Sequence, residues 1–174
     1  MRSTALPELD VGVVVERRKA TSMLAEFLWR PVGVFSGKAS AEPWTALDAQ
    51  AELALFYAGE AIIELHRTET SYYRDNLTSA APKVWVILRS TSSGPPYELL
   101  AVTANPAEGE AFTDAGSNLV DTVPMPRDVG EAVVRFVARR HVGRPFLKRR
   151  RQPAEAWTAK PNLRLRRAGQ GGEK

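Results

Sequence analysis

Three side chains able to handle protons or bind a metal fall within six positions of one another: Glu64, His66 and Glu69. Imidazole beside carboxylates could shuttle a proton near neutral pH or contribute to a zinc site. On a strand, Glu64 and His66 share a face and stand about 7 Å apart at the backbone, at roughly 3.3 Å of rise per residue. A metal needs three or four converging ligands, however, and the other histidine, His141, lies far along the chain. The plainer reading is a polar outer face on a half-exposed strand, holding neither metal nor cofactor. No GxxxxGK[ST], GxGxxG or GxSxG motif is present, so the familiar phosphate loops and the α/β-hydrolase nucleophile have no support. The chain has 0 cysteines, which excludes disulfides, thiolate nucleophiles and cysteine-ligated zinc or iron–sulfur sites. An enzyme is not expected.

Strands must position this cluster. Residues 51–89 form the centre: two apolar runs, 53–67 and 83–89, joined across the polar segment 68–82. Ala58-Gly59-Glu60 reads as a tight turn that divides the first run into a hairpin, because Gly tolerates positive φ between strand formers. Beyond it Ile62, Glu64, His66 and Thr68 alternate with Ala61, Ile63, Leu65 and Arg67, which places Ile63 and Leu65 in the core. Residues 84–88 (VWVIL) are apolar at every position and predict either a strand covered on both faces or a central strand packed against a helix.

The flanks add further strands and two helices. Residues 11–19 and 27–35 predict strands, with Pro31 pushing the second toward an edge or a bulge. Residues 20–26 are a loop or a helical turn, Ser36-Gly37-Lys38 turns the chain, and residues 39–48 are a loop. In that loop Trp44 covers one end of the sheet or meets a partner, since both uses exploit a large apolar ring. One helical turn is expected within 68–81, a hairpin loop at 90–96 and a strand at 97–103. Asn105-Pro106-Ala107-Glu108 is the sharpest local signal: an N-cap amide, Pro at the first helical position, and an acid at the positive end of the helix dipole. Gly116 closes that helix, 119–123 is a last short strand, and 128–142 is an amphipathic helix with Val129, Ala132, Val133, Phe136 and Val137 inward. About seven short strands result. The expected fold class is α+β: a mainly antiparallel β roll or partly closed barrel in pleckstrin-homology-like order, with a short inserted helix and a C-terminal capping helix.

At 174 residues, with 44% hydrophobic and 25% charged side chains, one domain is the expectation: a leader at 1–10, a β-rich domain at 11–143 and a tail at 144–174. No signal sequence or spanning run is legible, and a cytoplasmic location is expected. The net charge of +4 conceals an asymmetry. From Arg144 onward ten Lys and Arg face two Glu, net +8, which leaves 14 basic against 18 acidic residues before it, net −4. Lys148, Arg149, Arg150 and Arg151, then Trp157, Arg164, Arg166 and Arg167, mix cations with aromatic and aliphatic residues. Such a segment could neutralise phosphates, lie on an anionic surface or wrap an acidic partner, and it could equally be a solvated arm.

Several phrases, VGVVVERR at 11–18, WRPV at 29–32, EPW at 42–44, ELHR at 64–67 and VTANP at 102–106, resemble an uncharacterised bacterial family, the domain-of-unknown-function family numbered 3305. The resemblance continues through VPMP at 123–126 and RHV at 140–142 to PFLKRR at 145–150. It implies a small protein whose genes tend to lie beside those for formate dehydrogenase, and it supplies no catalytic residues. The resulting expectation is a non-enzymatic accessory or assembly protein. Its partner would be a subunit or maturation factor of molybdenum-dependent formate dehydrogenase, with Trp44, Glu64, His66, Glu69 and the basic segment as contact residues. The alternative is a module that binds nucleic acid or an anionic surface through that segment.

Overall fold

The computed structural model describes residues 7–140. The basic segment, with Lys148, Arg149, Arg150, Arg151, Trp157, Arg164, Arg166 and Arg167, and most of the leader lie outside the described residues.

Seven strands in two antiparallel sheets make up the β layer among the described residues. The first sheet has the order β2 (Phe27–Ser36), β1 (Glu8–Lys19), β4 (Leu53–Glu64), β3 (Thr45–Ala49). The second has the order β6 (Tyr97–Thr103), β5 (Lys83–Ser90), β7 (Asn118–Pro124). Strand β4 runs close to β6, and β2 close to β7, but no hydrogen-bonded ladder joins the sheets. The result is an α+β roll and not a closed barrel. Helices α1 (Thr70–Leu77), α2 (Pro106–Ala111) and α3 (Arg127–Arg140) complete it.

Valines supply much of the core because β-branched side chains fit a pleated surface. Val11, Val13 and Val15 of β1 meet Ile63 and Leu65, Val84, Val86 and Leu88, and Val102, all buried. The alternation read for 61–67 therefore holds through Leu65, but the strand is shorter than the run 53–67 suggests: β4 ends at Glu64, and Arg67, expected on the core face, is exposed in a 3-10 turn. Helix α3 buries Val129, Val133 and Phe136, and Glu131, Arg135 and Arg139 stay exposed, as the 3.6-residue period predicts.

Four expectations need correction. Ala58-Gly59-Glu60 is not a turn: β4 runs straight through it. Val13 pairs with Gly59 and Val14 with Tyr57, so Ala58 is an extra residue in a β-bulge, and Gly59 at φ 131° takes the conformation this bend requires. The strand count survives because residues 45–49, expected to be loop, form β3 against β4. The first strand also starts at Glu8, since Glu8, Leu9 and Asp10 pair with Glu64, Ile63 and Ile62. Pro31 sits where its missing N–H is tolerated, on β2 at the sheet edge beside a bulge between Val14 and Val15. The segment expected to make one helical turn makes two, in α1. Among the described residues no helix is long and apolar enough to cross a membrane.

Candidate functional site

Glu64, His66 and Glu69 do not converge. His66 Nε2 lies 3.6 Å from Glu64 Oε2 on the open side of β4, where Glu64 is exposed and His66 half-exposed. Glu69 turns the other way, because residues 67–69 form a 3-10 turn that swings its carboxylate toward α1 and α2. There Glu69 Oε2 accepts hydrogen bonds from Asn105 Nδ2 at 2.6 Å and from the Tyr73 hydroxyl at 3.4 Å. The His66 backbone N–H donates to that same hydroxyl at 3.1 Å. Among the described residues no three His, Asp or Glu side chains gather so as to hold a metal.

This polar network ties chain segments together. Asn105 Oδ1 accepts from the Ala107 and Glu108 N–H groups and so caps α2, with Pro106 at the first position, as the sequence predicts. Thr103 Oγ1 donates to Glu108 and accepts from the Asn105 N–H. Asn76 of α1 donates to the carbonyls of Lys83 and Ala104 and accepts from the Lys83 N–H. Burial, with the Glu69 and Glu108 charges adding to it, pushes the Tyr73 hydroxyl up to about 12. Tyr73 is fully buried, and its hydroxyl is held by two hydrogen bonds, from the His66 N–H and to Glu69. A groove of about 260 Å³ lies between β4 and β6, edged by Glu60, Glu64, His66 and Glu108.

The opposite end of the first sheet carries a different surface. Trp29, Trp44, Phe56 and Tyr97 are all half-buried, and Trp29 is their hub, with its ring centroid 6.0 Å from Trp44, 5.6 Å from Phe56 and 6.3 Å from Tyr97. Arg17 lays its guanidinium over Phe27 at 4.5 Å, Phe56 at 5.4 Å and Trp29 at 5.9 Å. Trp44 is the one non-glycine among the described residues with positive φ, 67°, a conformation strained for a bulky side chain. Its N–H donates to the Tyr57 carbonyl, which fixes the indole over Trp29 and Phe56. Trp44 therefore pins its loop to the sheet and still presents part of its ring.

The sequence reading thus located Trp44 but missed its companions. Phe27, Trp29 and Phe56 occupy strand positions and Tyr97 opens β6, so each was passed over as part of a strand. The available signal was Arg17 in one predicted strand and two aromatic positions, Phe27 and Trp29, in the next, an arrangement that only the register, Arg17 opposite Trp29, makes visible. Apolar side chains surround this end: Leu28 is 58% and Leu47 54% exposed, and Met23 and Leu24 at the β1–β2 loop tip are fully exposed.

The chain belongs to the family described as "Protein of unknown function (DUF3305)", which it matches over residues 10–150. No curated protein and no solved structure matches it.

Proposed function

We propose that this member of the DUF3305 family is a non-catalytic accessory module that docks a protein partner on the aromatic end of its roll. One observation carries the reading: Arg17, Trp29, Trp44 and Tyr97 are gathered, half-exposed, in one connected cluster. Arg, Trp and Tyr dominate the energetics of protein interfaces, where ring and guanidinium stems give large contact area at small entropic cost. At the other end Glu69 ties the fold together through Asn105 and Tyr73.

The partner we favour is a formate dehydrogenase subunit or maturation factor, met in the cytoplasm. The support for this partner is the family's gene company, and the support for the compartment is a chain free of cysteine. The test is affinity purification of the tagged protein from its native cell beside the Trp44→Ala variant, with bound proteins identified. A dehydrogenase subunit or maturation factor should co-purify with the wild type and be lost in the variant. Recovery of neither from the wild type overturns the choice of partner, and equal recovery with both chains overturns the aromatic end as the docking site.

A second reading rests on the charge asymmetry, net +8 from Arg144 onward. Under it the basic segment binds nucleic acid or an anionic surface. Affinity for duplex DNA would then be nearly independent of sequence and fall with salt at about 0.9 log units per log unit for each phosphate neutralised.

A further inference from the structure

We infer that the segment seated on the aromatic end is an acidic, partly apolar peptide, and that Arg17 receives its carboxylate; this rests on the docking reading above. Four cations, Arg17, Arg18, Lys19 and Arg30, cluster at this end of β1 and β2, and they are not equivalent: Lys19 is exposed, and among the described residues Arg17 alone lies over aromatic rings. Arg18 and Arg30 both reach Glu16 Oε1, at 3.3 and 3.2 Å. Arg17, the residue between Glu16 and Arg18, turns to the rings, and among the described residues it makes no ion pair.

The rings satisfy Arg17 in one direction only. A guanidinium presents its charge to an aromatic face and its five N–H donors in its own plane, so stacking on Phe27 and Phe56 leaves the in-plane fork available. A carboxylate is the group that matches such a fork in bidentate fashion. The half-buried rings also displace water around the guanidinium, which strengthens an ion pair formed there relative to one in open solvent.

Charge selects the occupant further. Residues 7–140 carry 13 Lys and Arg against 18 Asp and Glu, a net of −5, so the roll repels an extended polyanion such as nucleic acid or a charged membrane. A peptide with isolated carboxylates between apolar residues avoids that repulsion and can place its apolar side chains on Trp44 and Tyr97. The recognition expected is one fork-bound carboxylate within a desolvated aromatic rim.

The full chain tests this with two labelled probes, a tyrosine-rich glutamate–tyrosine copolymer whose carboxylates stand apart from one another and a 20-nucleotide oligothymidylate, followed by fluorescence anisotropy. Arg17→Gln should weaken copolymer binding by about tenfold, or 1.4 kcal/mol, and Arg17→Lys should weaken it too, since an ammonium keeps the charge but not the fork. Arg166→Gln, which removes the same charge from the basic segment, should change the affinity by less than about twofold. Thermal melts of all variants separate binding from folding, with Arg17→Lys as the conservative substitution. Equal effects of Arg17→Gln and Arg166→Gln overturn the inference, as does an Arg17-dependent affinity for oligothymidylate exceeding that for the copolymer, or no copolymer binding at all. If Arg17→Gln is neutral in anisotropy while Trp44→Ala still abolishes partner capture, the docking reading stands and the acidic occupant falls.

Discussion

Asn105 and Glu69 stand 36 positions apart, yet a 2.6 Å hydrogen bond from Asn105 Nδ2 to Glu69 Oε2 joins the start of α2 to the start of α1. The other half of the same amide caps α2. Asn105→Ala removes both functions and should cost about 2.5 to 4 kcal/mol, roughly 1 for the cap and 1.5 to 3 for the bond to a charged group. Asn105→Asp keeps the cap but sets a second carboxylate against Glu69. Denaturant unfolding should show the Asp variant less stable than wild type at pH 7, with the gap narrowing toward pH 4 as one carboxyl takes a proton. A gap that widens on acidification would mean that the two side chains do not face each other.

Tyr73 links the same network to alkaline stability. Its hydroxyl, raised from 10.0 to about 12 in the folded chain, remains protonated where the unfolded chain has already ionised. Between pH 10 and 12 the unfolded state therefore binds fewer protons than the native one, and stability falls as pH rises. Two pH units correspond to about 2.7 kcal/mol. Tyr73→Phe should cost about 1 kcal/mol at pH 7 through the lost bonds to His66 and Glu69, and its stability should decline less steeply above pH 10. Parallel wild-type and variant curves across that range would refute the assignment.

The contact between α2 and the second sheet depends on one missing side chain. A Cβ at Gly109 would overlap the Trp85 ring, so the buried Gly109 is what lets the helix lie on the indole. Gly109→Ala should destabilise by about 1 to 3 kcal/mol despite the better helix propensity of alanine. Trp85 is half-buried, and its truncation should cost less than the roughly 3 to 5 kcal/mol of a fully enclosed aromatic. In a double-mutant cycle Gly109→Ala should be milder in a Trp85→Ala background, because the obstacle is gone.

These residues also show what the sequence could reveal. Elements with strong internal periodicity, such as α3 with Val129, Val133 and Phe136 or the buried run of β5, were legible because one repeat pattern fits one environment. Asn105-Pro106 was legible because the cap is made within three residues. Gly59 was misread because a glycine between two apolar runs suits a turn and a bulge equally, and only the pairing with Val13 decides. β3 was invisible because all five of its residues are exposed, so no alternation marks it. The Glu69–Asn105 bond and the rings around Arg17 depend on long-range register, which spacing along the chain does not encode.

Trp44 supplies the last prediction, because its backbone and its ring pull in opposite directions. At φ 67° any L residue with a Cβ is strained, by roughly 1 to 2 kcal/mol, whereas glycine adopts this region freely. The ring offsets that strain through its packing on Trp29 and Phe56. Trp44→Ala loses the ring and keeps the strain, while Trp44→Gly loses both. Urea unfolding should therefore find the Gly variant about 1 kcal/mol more stable than the Ala variant, the reverse of the usual order. Partner capture should fail in both, since both lack the indole. Ala proving the more stable would mean that the loop relaxes out of the left-handed region once the ring is gone. Retained capture in the Gly variant alone would mean that the partner reads the loop's backbone and not the tryptophan.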